Sequence, residues 1–210
     1  MKRSITVPGQ GTVIVEPNVA SVRLGVNVLA DTAGAARASA AGTMKKILDA
    51  VTKQGVARRD VRTALVSLNP TMDYSDNKGP RITGYQVQNT VAVTLRNLAK
   101  TGELIDAALG AGASTLDSLD FRLDDPTRPS EEARAAAMTD ARARATTIAR
   151  AAEAKVGAVL AVVEGQPMAP PMPYPAARMA LKADAVATPV ESGTQEISVA
   201  LTVTFELDSK

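Results

Sequence analysis

Three long segments of the chain alternate apolar and polar residues, and this alternation constrains the fold more than any other feature. In residues 195–207, six apolar side chains occupy every second position, and residues 19–30 and 83–96 follow the same pattern. A period of two residues places the apolar side chains on one face of a β-strand. The pattern therefore predicts half-buried strands, each of which needs a covering layer.

Helical periodicity in other segments supplies that layer. The spacing predicts a helix over about 32–54 with Asp31 as its N-cap, a shorter helix capped by Asn97, and a third that begins at Ser130. The predicted inward face of the third helix is small: Ala137, Ala141, Ala145, Ile148, Ala149 and Ala152. Small residues let a helix approach a sheet closely.

Weaker patterns predict four further strands. Short strands are expected at 13–15 and 116–124, and Pro70 limits the end of a strand at 61–69 to an edge or a bulge. The nearly continuous apolar run at 156–163 is typical of a strand that is covered on both faces.

Runs of strands with segregated helices predict the α+β class. We expect two strand–helix–strand–strand modules, mostly antiparallel sheets, three main helices and a long Pro/Met-rich loop at 166–193. One domain over residues 1–210 accounts for this order, with submodules at about 4–97 and 98–208.

The chain has no Cys and no His. This composition excludes a Cys or Ser–His–Asp nucleophile, a zinc finger, a His-ligated metal and a disulfide framework. We therefore expect no metal and no cofactor. The hydrophobic share of 45% and the charged share of 22% are those of a globular protein.

Charge and aromatic content argue against nucleic acid as a partner. The net charge is +2, and the densest basic clusters, Lys2-Arg3, Arg58-Arg59 and the pair Arg142/Arg144, are diluted by nearby carboxylates. Five aromatics are too few for a base-stacking platform.

No run approaches the roughly 18 apolar residues that a membrane span requires. The N-terminus leads directly into strand-like sequence without an apolar signal core, so the chain is either cytoplasmic or has lost its signal peptide.

Two motifs suggest ligand binding and are better explained otherwise. Gly9-Gln10-Gly11 precedes a strand and lacks a third Gly, so we expect a backbone turn or bulge rather than a phosphate loop. Asp73, Asp76 and Asn77 lack the ligand spacing of a calcium loop, and a solvated hairpin turn is favoured.

Four carboxylates leave a hydrolase open as a remote hypothesis. Asp117, Asp120, Asp124 and Asp125 could pair as acid and base only if their surroundings separated their pKa values. Helix caps or edge charges explain them more simply.

Residues 166–193 contain six of the twelve prolines and cannot begin as regular helix or strand. Met168, Met172 and Met179 could bind Cu(I) or absorb oxidant, could fill irregular gaps, or could accompany a polyproline docking ligand. We predict instead an arm that packs on a neighbouring subunit. Its candidate residues are Met168, Met172, Tyr174, Met179 and Leu181.

The composition of the core also favours self-association. The chain has five aromatics and 38 Ala, so each monomer buries a modest area per residue. Contacts between copies would supply the missing burial, and we therefore expect a homo-oligomer.

The chain resembles the SIMPL-domain family over about 4–208. The resemblance rests on the order and spacing of several weak motifs. They are Val7-Pro8-Gly9-Gln10-Gly11, Pro17-Asn18, Thr63, Pro70, Ile82-Thr83-Gly84-Tyr85, the helix Ala137–Ala152 with Ala141-Arg142-Ala143-Arg144-Ala145, Glu164 and the final Val-rich strand. Asn18 stands where the family usually has Asp, and Glu153 stands where its third helix often ends in Gly.

The resemblance implies a periplasmic or cell-envelope protein whose signal peptide has been removed. It also implies a large closed homo-oligomer, a role in oxidative or envelope stress, and no established catalytic residues. We therefore expect a non-enzymatic, self-assembling envelope protein. The alternative is a binding or chaperone-like scaffold that uses the Pro/Met-rich loop.

Overall fold

The computed structural model describes residues 3–74, 79–165 and 190–209 and has the α+β architecture that the sequence predicts. Seven strands and three α-helices occupy these residues. In chain order they are β1 (Ser4–Val15), β2 (Val19–Ala30), α1 (Ala33–Lys53), β3 (Val61–Asp73), β4 (Arg81–Leu95), α2 (Thr101–Gly110), β5 (Thr115–Arg122), α3 (Thr127–Ala151), β6 (Ala154–Gly165) and β7 (Gln195–Ser209).

The chain forms two compact units that are not consecutive in sequence. Within the described residues, one unit holds 3–16, 123–165 and 194–209, and the other holds 17–74, 79–122 and 190–193. Each unit has one antiparallel sheet, its own helices and its own apolar core.

The first unit is a three-stranded sheet in the order β1-β7-β6. The central strand β7 shows the predicted alternation, with Val199, Leu201, Val203 and Phe205 buried in one core with the inward face of α3. Strands β6 and β7 are antiparallel partners in this sheet.

The second unit is a four-stranded antiparallel sheet in the order β3-β4-β2-β5. Val22, Leu24 and Val26 of β2 point into a core that α1 and α2 also line, as their alternation predicts. None of the helices in the described part of the chain is long and apolar enough to cross a membrane.

The helix starts differ from the sequence prediction. Thr32 rather than Asp31 caps α1, since its hydroxyl oxygen accepts a hydrogen bond from the Ala35 N–H. Asn97 makes no side-chain cap, because a short 3₁₀ turn separates it from α2. Helix α3 begins at Thr127 rather than Ser130, because a proline in the first turn loses no intrahelical hydrogen bond and Pro129 is therefore tolerated.

The inward face of α3 is a stripe of alanines at intervals of four residues. The buried members are Ala133, Ala137, Ala141, Ala145 and Ala149. Ile148 is 51% exposed and Ala152 is also exposed, so these two were wrongly assigned to this face. The stripe continues towards Ala133 instead, because the helix starts earlier than the sequence suggested.

Candidate functional site

The residues that the sequence singles out as an oligomer arm lie outside the described residues. This applies to Met168, Met172, Tyr174, Met179 and Leu181, and therefore to the Cu(I) and scaffold hypotheses that depend on the same segment. Asp76 and Asn77 of the rejected calcium motif also lie outside them, and Asp73 ends β3. Among the described residues, no group of three or more acidic side chains is placed to hold a metal ion.

Two of the four carboxylates of the hydrolase hypothesis, Asp117 and Asp125, have local structural partners. The hydroxyl of Thr90 donates to Asp117, with 3.3 Å between the oxygens. Asp125 accepts hydrogen bonds from the hydroxyl and the backbone N–H of Thr127, and these bonds lower the pKa of the Asp125 carboxyl. Asp125 lies one residue before the N-cap Pro126 and binds the first residue of α3, so it supports the start of the helix without being its cap. A general acid, by contrast, needs a raised pKa.

Gly9 and Gly11 lie inside β1, which extends over Ser4–Val15, so the prediction of a turn or bulge before a strand at 13–15 is wrong. Both glycines face α3. A Cβ atom at Gly9 would clash with the carbonyl oxygen of Ala137, and one at Gly11 with that of Ala133. The motif lets the backbone of a strand touch the backbone of a helix, a use of glycine that its residue spacing does not reveal.

Helix α3 also closes the free edge of β1. The Gln10 N–H donates to the Asp140 carboxylate at 2.9 Å, and the same carboxylate accepts from Arg144 Nε at 2.9 Å. Both bonds lower the pKa of Asp140, and the bond from Arg144 has the larger effect. Pro8 lies two residues before Gln10, on the same side of the strand, and has no N–H to offer. This edge is therefore poorly suited to pairing with another strand.

The opposite edge of the same sheet is open. Among the described residues β6 pairs with β7 alone, and nearly all of its residues beyond Val156 are exposed. Leu160, Val162 and Val163 are 46%, 48% and 61% exposed. Within the described part of the chain, the prediction that 156–163 is covered on both faces is wrong, because its residues from Ala158 to Val163 are exposed.

The sheet of the second unit has a similar edge at β3. The edge position that Pro70 predicts is confirmed, since β3 pairs with β4 alone among the described residues. The strand continues past its predicted end at 69 to Asp73, and its register shifts between Thr63 and Leu65 and between Thr71 and Met72. Leu65, Val66 and Leu68 are all largely exposed. Each unit therefore presents one apolar edge strand, and we take these two strands as the candidate interaction surface. Sequence reasoning identified their apolar character but not their exposure.

Comparison with known proteins gives matches along nearly the whole chain. A family model described as SIMPL, protein of unknown function (DUF541), matches residues 5–205. The 26 kDa periplasmic immunogenic protein of Brucella melitensis is 34% identical over 212 residues, which cover 97% of this chain and 84% of that protein. The uncharacterized protein YggE of Escherichia coli K12 is 29% identical over 195 residues, covering 93% of this chain and 78% of YggE. The similarity runs through both units rather than through one motif.

Proposed function

The chain belongs to the SIMPL family of proteins of unknown function, and from this premise we propose that it is a non-enzymatic protein that assembles with copies of itself into a large homo-oligomer. It is a periplasmic protein of the cell envelope, as the Brucella relative is by name. The apolar edge strand β6 is the observation that carries the proposal.

An exposed apolar edge is unfavourable for a protein that stays monomeric. It offers unpaired backbone N–H and C=O groups together with apolar side chains, and natural edges usually carry charges or prolines that prevent further pairing. β1 has a proline and a covering carboxylate, whereas β6 carries neither a charge nor a proline along Val159–Val163. The register of β6 against β7 shifts between Val156 and Val159 and between Val159 and Ala161, so the regular part of this edge begins at Ala161. A second copy of the chain supplies a matching apolar edge, either its own β6 or its β3.

The pairing of unlike edges allows a closed assembly of more than two copies. If β6 of one copy pairs with β3 of the next, the interface is heterologous, and such contacts generate rings when the rotation closes. If β6 pairs with β6, the contact is isologous and gives a dimer. The mass of the assembly therefore distinguishes the two arrangements.

Two features support a non-enzymatic role. The carboxyls Asp125 and Asp140 have lowered pKa values with structural causes, and neither is prepared to donate a proton near neutral pH. The family description and the relatives' names also specify no activity.

Size-exclusion chromatography with light scattering on Val163→Lys tests the assembly. A charge at this edge position should reduce the oligomer mass, because pairing would bury it. Ile14→Lys is the matched control: Ile14 is 72% exposed on β1, the protected edge of the same sheet, so this variant should keep the wild-type mass. A monodisperse wild-type monomer at tens of micromolar protein, or equal masses for the two variants, contradicts the proposal.

The proposed link to oxidative or envelope stress is supported by the family resemblance alone. We expect a strain that lacks the protein to survive peroxide or detergent less well, with rescue by the wild type and by Ile14→Lys. Rescue by Val163→Lys as well would mean that assembly is not needed for this role. Equal survival with and without the protein would contradict the link.

A further inference from the structure

The five arginines of α3 fall into two groups. Three have a carboxylate partner: Arg128 with Glu132 at 3.0 Å, Arg134 with Glu164 at 3.1 Å and Arg144 with Asp140 at 2.9 Å. Arg142 and Arg150 have no carboxylate partner among the described residues, and both line the same cleft. Two cations left unpaired at one place on an otherwise neutralised helix need an explanation.

The cleft lies between the C-terminal half of α3 and the start of β6. Its volume is about 330 Å³, and its other walls include Thr146, Ala149, Ala154 and Val156. No carboxylate lines it. Apolar walls around a cationic centre concentrate the electric field, so this cleft favours an anion.

The position of Arg142 is fixed by its neighbours. Its guanidinium carbon lies 5.4 Å from the ring centroid of Phe205, a fully buried member of the core. This cation–π contact holds the guanidinium beside the ring without using its N–H donors. The adjacent Thr146 hydroxyl donates to the Arg142 carbonyl oxygen at 2.7 Å, so its proton is already used. The hydrogen-bond donors for a ligand are therefore those of the two arginines.

Two opposing contributions must be weighed. The C-terminal end of α3 carries roughly half a negative charge, which disfavours an anion, but two full positive charges outweigh it. Lys155 also lines the cleft, but it stands opposite Asp208 in the β6–β7 ladder and we do not count its charge.

We propose that this cleft binds a phosphate monoester group through Arg142 and Arg150. Guanidinium groups bind tetrahedral oxyanions with two parallel hydrogen bonds, and a dianion matches the two charges better than a carboxylate does. The volume accommodates the phosphate together with a small substituent. The cleft touches β6 only at its first three residues, and both arginines lie on α3, so this proposal does not require the proposed assembly.

Isothermal titration of the full chain with inorganic phosphate and with glycerol phosphate tests the site. Arg142→Gln and Arg150→Gln should each weaken binding about tenfold or more, because each removes charge-assisted hydrogen bonds. Arg128→Gln is the matched control, with the same charge change at the other end of α3, and should bind within about twofold of the wild type. Because Arg142 also contacts Phe205, Arg150→Gln is the variant that leaves the core untouched.

Sedimentation with lipid vesicles separates the two sources of such a group. If vesicles of phosphatidylcholine with phosphatidic acid bind through Arg150 and pure phosphatidylcholine vesicles do not, the ligand is a lipid headgroup; binding of the soluble phosphates alone indicates a free metabolite. The proposal is overturned if the wild type binds neither phosphate, or if all three Arg→Gln variants weaken binding equally. In that case Arg142 only covers the ring of Phe205, and Arg150 only compensates the partial negative charge at the C-terminal end of α3.

Discussion

Gly11 has no space for a side chain, and this makes one methyl group a sharp test of the seam between β1 and α3. In Gly11→Ala the new Cβ clashes with the carbonyl oxygen of Ala133, so strand and helix must move apart. We expect a loss of about 1–3 kcal/mol in the free energy of unfolding, or more. Denaturant unfolding monitored by circular dichroism measures it.

Gly42→Ala is the matched control for that substitution. Gly42 lies on α1 with nothing within 4 Å of its added Cβ, and alanine favours a helix by up to about 1 kcal/mol relative to glycine. This variant should be more stable than the wild type. If Gly11→Ala is as stable as Gly42→Ala, the close approach of β1 to α3 is wrong.

Glu153 follows α3 with a φ of +54°, and among the described residues it is the single non-glycine with a positive φ. A side chain is strained in this left-handed conformation, which glycine adopts freely. We therefore expect Glu153→Gly to raise the free energy of unfolding by about 0.5–1 kcal/mol. Glu153→Ala keeps the strained Cβ and should give no such gain in thermal melts. Equal melting temperatures for Glu153→Gly and Glu153→Ala would show that relief of backbone strain is not what stabilises the glycine variant.

At the level of elements, the bond between Asp140 and the Gln10 N–H holds the edge of β1 to α3 and should depend on pH. The folded-state pKa of Asp140 is lowered, so its contribution to stability is complete above the ordinary Asp value of 3.8 and is lost as pH falls through the lower folded-state value. Asp140→Asn should therefore melt below the wild type at pH 7, and the difference should shrink below about pH 4.

Melting temperatures from pH 7 to pH 3 measure this difference. Asp49→Asn, an exposed substitution on α1, is the control and should follow the wild type throughout. A gap between Asp140→Asn and the wild type that stays constant down to pH 3 would show that the carboxylate charge is not what joins helix and strand.

Element type was predictable from the sequence, whereas the position of a strand in its sheet was not, except for the edge strand β3 that Pro70 marks. Periodicity is local, so β2 over 19–30 and α1 were found almost to the residue. Whether a strand lies at the centre or the edge depends on pairing between distant segments: the apolar run of β6 looks like a buried strand because its sequence does not say which neighbours it lacks. Gly9 and Gly11 were misinterpreted for the same reason, since the helix that they contact lies more than a hundred residues away.

For the whole molecule, the two edges of the β1-β7-β6 sheet differ in kind. One edge is closed by Pro8 and the Asp140 carboxylate, and the other is an open apolar strand. This sheet can therefore extend only at its β6 edge, and growth beyond a pair of copies needs the β3 edge of the other unit as well. The assembly has a defined size when these contacts close into a ring.

The predicted arm between β6 and β7 gives a second test of assembly. We predict that replacing 167–190 with a Gly/Ser linker of about six residues leaves the fold of each copy intact and weakens assembly. Gly165 pairs with Ala200, five residues into β7, so the new linker and residues 191–194 must span roughly 16 Å before β7 begins. The β6–β7 ladder is thus retained, while the apolar side chains that we assign to an arm are removed, among them Met168, Tyr174 and Leu181.

Light scattering across a dilution series and thermal melts should be run together on this loop variant. We expect the monomer of this variant to unfold as the wild-type monomer does. We also expect the assembly to dissociate at a higher protein concentration than that of the wild type, because burial of the arm no longer stabilises the contact between copies. Val163→Lys provides the comparison, since it should reduce the mass through the strand edge instead. If the loop variant keeps the wild-type mass on dilution while Val163→Lys does not, the edge strands alone hold the copies together and the prediction of an arm is wrong.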